Sequence, residues 1–294
     1  MTLALAMILD ALLGEPKWLW DRLPHPAVLM GHLIGRLDQW FNSGPARHFN
    51  GILVMLGLVL LAIASGAILA QLGPVVEILI VAILLAQKSL VQHVQAVALG
   101  LGQSTQAGRA AVAMIVGRDT KDMDDPAIVR SAIESAAENL SDGIIAPAFW
   151  FAIGGLPGLL VYKITNTADS MIGYLTPRHA QFGWAAAKFD DLLNWIPARL
   201  TALMIIGPMA YASLRSDAAK HRSPNAGWPE AAMARRLNLA LSGPRAYDGV
   251  MQDYPWVWPQ GSSHGTGKDI QAACTVLWQT WAIALALVIA IGLL

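Results

Sequence analysis

The run I-L-V-M-L-G-L-V-L-L-A-I-A-S-G-A-I-L-A, residues Ile52–Ala70, decides the fold class. It carries no charge. As a helix rising about 1.5 Å per residue it is long enough to cross a hydrocarbon layer of about 30 Å. Downstream, Gly73-Pro74 makes a tight turn, and Val75–Ala86 runs back before turning amphipathic through Gln87, Lys88 and Gln92. Ile144–Val161 is apolar but broken by G-G-L-P-G at Gly154–Gly158, and Ile196–Leu214 and Ala273–Leu294 are further candidate crossings. Thr2–Leu13 is apolar, too short to span alone, and contains Asp10.

Composition points the same way. Hydrophobic residues make up 55% of the chain and charged ones 14%, against roughly 25% charged in soluble domains. The expectation is an all-α, polytopic integral membrane bundle of about four to five spans, with amphipathic or re-entrant helices and cytoplasmic loops. No internal repeat and no low-complexity linker divides it, so residues 1–294 read as a single domain. The 20 basic and 20 acidic side chains cancel, which argues against a nucleic-acid partner. The one cysteine, Cys274, lies in an apolar run and excludes a disulfide framework. The first residues lack the basic start and cleavage site of a signal peptide.

Two topologies fit. If all five runs cross, the segments before Ile52, from Gln87 to Gly143 and from Arg215 to Ala272 share one side. They hold 16 of the 20 Lys and Arg, which puts that side in the cytoplasm. Alternatively, G-G-L-P-G is the tip of a re-entrant hairpin, because Gly and Pro break helices and irregular backbone is tolerated where protein buries it. The hairpin returns Lys163, Asn166 and Asp169 to the side of Glu138 and Asp142, and sends Arg215–Ala272 to the other.

The polar outlier in this apolar chain is Tyr162–Arg199, with Y-K-I-T-N-T-A-D-S-M-I-G-Y at Tyr162–Tyr174 and K-F-D-D-L-L-N-W-I-P-A-R at Lys188–Arg199. Charges in or beside a membrane segment are costly and by default mark a site. Lys163, Asn166, Thr167 and Ser170 recur at helical spacing, with Asp169 at the edge of the stripe. Asp190 and Asn194 are i, i+4, and Lys188 and Asp191 are i, i+3. The plainer reading is polar glue between helices. Pro197 either kinks this helix or begins the next.

Upstream, Asp124-Asp125-Pro126 starts a helix, with an acidic cap and then Pro in the first turn. Ile128, Ala132, Ile133, Ala136 and Leu140 line one face, while Arg130, Glu134 and Glu138 line the opposite one, with Asn139 and Asp142 just beyond. The plainer reading is a solvated face with a weak Arg130–Glu134 pair. The pattern also suits a metal–phosphate site. Near the N-terminus, His25 stands between Pro24 and Pro26, held extended. Gly117-Arg118-Asp119-Thr120 could bind phosphate through Arg118 and its amides. His221-Arg222-Ser223-Pro224-Asn225 is a turn rich in hydrogen-bonding groups. Gly261–Lys268 looks like a P-loop but misses its spacing, with Asp269 where Ser or Thr is required.

Taken together these blocks resemble the cobalamin-biosynthesis CobD/CbiB family, the adenosylcobinamide-phosphate synthases, nearly end to end. The resemblance rests on D-A-L-L-G-E-P and L-P-H-P near the start, I-V-G-R-D-T at Ile115–Thr120 and I-E-S-A-A-E-N-L-S-D-G-I-I-A-P-A-F-W at Ile133–Trp150. It continues through Tyr162–Tyr174, D-D-L-L-N-W-I-P-A-R-L-T-A-L at Asp190–Leu203 and H-R-S-P-N-A-G-W-P-E-A-A-M-A at His221–Ala234. Glu15 stands where Asp is more usual, and Arg235-Arg236 where small residues are usual.

The resemblance implies a carbon–nitrogen ligase of the bacterial cytoplasmic (inner) membrane. It would join the free propionate carboxylate of adenosylcobyric acid, a corrinoid, to aminopropanol phosphate. ATP would activate the carboxylate as an acyl phosphate, with Mg²⁺ as the metal. The implied catalytic set is Glu138, Asp142, Lys163, Asp169, Asp190 and Asp191, with metal held by Asp142, Asp169, Asp190 and Asp191. The substrate-binding set is Asp10, His25, Arg118, Asp119, Glu134, Asn139, Asn166, Ser170, Asn194, Arg199, His221, Ser223 and Asn225, and Glu138 or His25 would be the base. The lipid bilayer, other corrin-pathway enzymes and a second copy of the chain are the implied partners. Two rivals remain: a transporter, for which intramembrane Asp, Asn and Lys beside a Gly/Pro-broken helix are common, and a non-catalytic scaffold.

Overall fold

The apolar run at residues 52–70 forms most of the helix Arg47–Ala70, one of four helical stretches long and apolar enough to cross a membrane. The others are Pro74–Gln103, Asp125–Ile172 and Gly267–Gly292, and Thr2–Leu13 is apolar but short, as expected. The computed structural model describes every residue except Asp248 and Leu294, and leaves the side chain of Lys17 undescribed. The chain is an all-α membrane bundle, with two small antiparallel strand pairs among the described residues. It packs as two units, Met1–Ala86 with Ala146–Asn194, and Gln87–Ile145 with Trp195–Leu294.

In the first unit, Gly73 takes a positive φ of 95° and Pro74 opens the helix Pro74–Leu84, so the expected tight turn forms. That helix ends at Leu85, which is extended. The segment Ala146–Ile172 is not a single rod. Gly155 adopts φ 57°, ψ −151°, which only glycine takes cheaply, and Pro157 follows in the first turn of the returning limb, where its missing N–H is harmless. Ala146 and Tyr162 join one buried cluster with Leu193, whereas a straight helix would hold them about 24 Å apart. The carbonyl oxygen of Trp150 fills the place a Gly158 Cβ would need. G-G-L-P-G is therefore the tip of a helical hairpin, and the reading in which Ile144–Val161 crosses as one helix is corrected by the backbone reversal at Gly155.

The hairpin packs along Arg47–Ala70, and Trp184–Leu193 packs on both. At Gly66 the approach is backbone to backbone, since a Cβ there would stand 2.6 Å from Pro157 Cα. Neither partner is a flexible side-chain end, so Gly66→Ala is expected to destabilise by about 1–3 kcal/mol, read as a lower melting temperature in detergent. An unchanged melt would show that this contact is slack.

In the second unit, Asp124 Oδ1 accepts from Ala127 N at 2.9 Å and Pro126 lies in the first turn, so the helix Asp125–Leu140 starts as its sequence dictates. It passes into one π-helical turn, Ser141–Ile145, a feature frequent at functional sites. The expected run Ile196–Leu214 is not one span. The helix Trp195–Ile206 stops at Gly207 (φ 81°) and Pro208 opens a short separate helix; twelve residues rise only about 18 Å. Pro197 sits in the first turn of Trp195–Ile206 and thus begins a helix rather than kinking one. Leu241–Ser242 pairs with Trp256–Val257, and Arg245–Tyr247 with Val250–Gln252, both antiparallel. Asp269 forms a capping box with Thr266 at the start of Gly267–Gly292, which explains the acid at the position a P-loop would give to Ser or Thr.

Candidate functional site

The expected site residues divide between the two units. In the first, the i, i+4 pair forms as spaced: Asn194 Nδ2 donates to Asp190 Oδ2 at 2.9 Å. Asn166, on the returning limb of the hairpin, donates to Asp190 Oδ1 at 3.2 Å. Tyr162, wholly buried, donates its hydroxyl to Asn194 Oδ1 at 3.0 Å and so fixes which way that carboxamide faces. Asp190 is 9% exposed and its partners are neutral amides. Burial pushes its carboxyl up to about 6 despite those hydrogen bonds. Lys188 and Asp191 pair at 3.5 Å on a more open surface. Lys163 and Asp169 are half-buried on the hairpin limb, and Ser170 is exposed and donates to Asn166 O at 2.9 Å.

Asp10 is buried in the Thr2–Leu13 helix. His25 caps Pro26–Phe41: its Nδ1 accepts from Ala27 N at 3.2 Å, which leaves the proton on Nε2, 3.2 Å from Ile83 O. Both nitrogens are engaged, so the structure gives His25 a capping role and takes away the free nitrogen a base requires.

In the second unit, Glu134 is not on a solvated face. It is 4% exposed, and Oε2 takes Arg118 Nη2 at 2.7 Å and Arg245 Nη1 at 3.1 Å, while Oε1 accepts from Ser242 N at 2.7 Å. The Arg130–Glu134 ion pair of the plainer reading is absent among the described residues; the Arg130 guanidinium lies 4.9 Å from the Trp256 ring instead. Glu138 and Asn139 are exposed and Asp142 half-buried. Arg118 and Asp119 line a cleft of about 870 Å³ with Arg130 and Arg245.

His221 Nε2 lies 3.6 Å from Glu230 Oε2 and Nδ1 accepts from Ser223 N at 3.0 Å. Burial, reinforced by Arg245, lowers the His221 pKa, while burial, reinforced by Glu134, holds the Glu230 carboxyl well above the usual range. Ser223 Oγ accepts from Asn225 N and Ala226 N, fixing the turn. Arg199 lies between the Trp195 and Trp228 rings, at 4.5 and 4.9 Å, and donates to Asn225 Oδ1 at 3.2 Å. Arg235, outside the expected family pattern, is held by Asp217 at 2.8 Å and lies over Trp258.

Sequence reasoning missed Arg245, Ser242 and Glu230. The available signal was the Ser242-Gly243-Pro244 turn immediately before a lone arginine. Among the described residues no group of three or more His, Cys, Asp or Glu stands close enough to hold a metal ion, so the expected four-aspartate centre is not assembled as a protein cage. Mg²⁺ needs less, since it is usually held by one or two carboxylates together with phosphate oxygens and water.

The model of the family described as CobD/Cbib protein matches residues 3–277. A Sinorhizobium sp protein named Cobalamin biosynthesis protein CobD is 46% identical, covering 99% of this chain and 98% of the relative. Proteins of the same name from Rhizobium meliloti (strain 1021) and Rhodobacter capsulatus are 46% and 44% identical, covering 94% and 92% of this chain and 91% and 88% of theirs. No solved structure matches.

Proposed function

The chain belongs to the CobD/Cbib family of cobalamin biosynthesis proteins, and from that premise we propose that it is a carbon–nitrogen ligase of the bacterial inner membrane, joining adenosylcobyric acid to aminopropanol phosphate at the expense of ATP. The observation that carries this reading is Asp190. An amine nucleophile arrives as an ammonium ion and must lose a proton, and a buried carboxyl near 6 is a base matched to neutral pH. Asn166 and Asn194 orient it, and Tyr162 orients Asn194. His25 and the exposed Glu138 give way to it as base. Asp169 and Asp191 would hold Mg²⁺ brought with the nucleotide, which screens phosphate charge while the carboxylate is activated. Lys188, 3.5 Å from Asp191, supplies positive charge beside it, and Lys163 on the hairpin limb would add a second.

The test is full-length protein in detergent with adenosylcobyric acid, aminopropanol phosphate and Mg-ATP. Amide product that forms only with ATP is the expected result. Bound substrates with neither product nor ATP consumption would sink the reading and leave the scaffold, and substrate crossing sealed vesicles unchanged would favour the transporter. Asp169→Asn and Asp191→Asn are each expected to lower turnover by at least about 100-fold with membrane insertion intact. Near-normal rates in both would make this segment structural.

A further inference from the structure

Ion pairing within the protein does not neutralise the cleft of the second unit. Its inner surface presents Arg118, Arg130 and Arg245, and the exposed Lys121 stands at its mouth. A single carboxylate, Glu134, serves both Arg118 and Arg245 through the same oxygen. Arg130 makes no ion pair among the described residues. Among the less exposed groups, three guanidiniums therefore face one ionised carboxylate, since burial favours the neutral form of nearby Glu230. The acids near the mouth do not close the gap: Asp119, Asp122 and Asp124 are all exposed, with Asp119 Oδ2 accepting from Gly249 N at 2.7 Å and Asp124 capping its helix, and the equally exposed Lys121 offsets one of them. Exposed charges are screened by water and salt far more than buried ones.

A second observation concerns Arg245 itself. Its side chain is 9% exposed, and its buried Nε has no hydrogen-bond partner. The Tyr254 ring, 4.1 Å from the guanidinium, holds it in place. Buried guanidinium N–H groups are normally satisfied, so an unpaired one on an arginine that lines a cleft leaves capacity for an acceptor.

We propose that this cleft binds a phosphate dianion carried on a larger organic group, either a phosphate monoester or the terminal phosphate of a nucleoside triphosphate. The excess of two positive charges among the inner groups, Arg118, Arg130 and Arg245 against Glu134, matches a phosphate monoester at neutral pH, and guanidinium forks suit phosphate oxygens. The cleft volume, about 870 Å³, exceeds what a bare phosphate fills. Within the proposed function the ligand is the amino alcohol's phosphate or the nucleotide's, but the inference rests on the cleft and does not need the amide step.

Calorimetric titration of the full chain in detergent tests it, with inorganic phosphate, aminopropanol phosphate and ATP as probes and aminopropanol and adenosine as controls. At least one phosphate probe is expected to bind, with Kd rising about tenfold or more in Arg130→Gln, a change that breaks no ion pair. Should that variant not fold, Lys121→Gln at the exposed mouth is the substitute, with about two- to threefold weakening. Loss confined to aminopropanol phosphate assigns the cleft to the amino alcohol, and loss confined to ATP assigns it to the nucleotide. Three results overturn the proposal: no phosphate probe binding at millimolar concentration, binding unchanged in the folded variant, or controls binding as tightly as their phosphates. Phosphate binding without amide product would remove the ligase reading and leave the cleft standing.

Discussion

Glu134→Gln is expected to lower stability by about 3–5 kcal/mol, the usual consequence of removing one partner of a buried ion pair. The glutamine is nearly isosteric and can still accept from Ser242 N, so the loss is electrostatic rather than steric. What remains is two guanidiniums, Arg118 and Arg245, with side chains only 11% and 9% exposed and no anion between them. In a chain of this length the loss reads as a melting temperature lower by on the order of 10 °C. The double change Glu134→Gln with Arg245→Met should recover part of it, because it withdraws one uncompensated charge and leaves the stem's packing area in place. A drop below about 2 °C in the single variant would show that water reaches both arginines, and the charge argument for the cleft would fail with it.

Relations that stay local were legible in the sequence. Hydropathy runs report spans because a helix satisfies its own backbone, so a long apolar stretch needs no partner to be identified. Asp190 with Asn194 and Lys188 with Asp191 were read correctly because helical spacing alone brings such pairs together. The hairpin stayed ambiguous because G-G-L-P-G breaks a helix in either topology; the deciding fact is that Trp150 and Gly158 meet, which depends on packing. The break at Gly207-Pro208 was written in the sequence and was overridden by the apolar run around it. Glu134 was not legible as a buried residue, for a deeper reason. Its cationic partners come from 16 residues before it and 111 after it, and no periodicity in its own helix encodes either. His25 shows the reverse case: a residue flanked by prolines looked presented to a ligand, and the structure spends both its nitrogens on a cap and a carbonyl.

Asp190 carries the other large expected effect, because its burial ties function to stability. A folded-state pKa near 6, against 3.8 for the free carboxyl, means that the folded chain holds the proton more tightly than the unfolded chain. Below about pH 3 both states are protonated and the full stability is present. As pH rises towards 6 the unfolded chain ionises first, so stability falls, and above about pH 7 the deficit is constant at about 3 kcal/mol. Asp190→Asn cannot titrate. Whatever fixed offset the substitution brings through Asn166 and Asn194, the stability difference between variant and parent should move in the variant's favour by about 3 kcal/mol between pH 3 and pH 7. Turnover should fall by about 100- to 10,000-fold in the same variant, and parental activity should rise through pH 6 as the base ionises. A packing residue would not combine a gain in relative stability on the alkaline side with a loss of catalysis and a rate profile rising through the same pH. A pH-independent difference between the two melts would show that Asp190 titrates as an ordinary solvated carboxyl, and the base assignment would have to leave it.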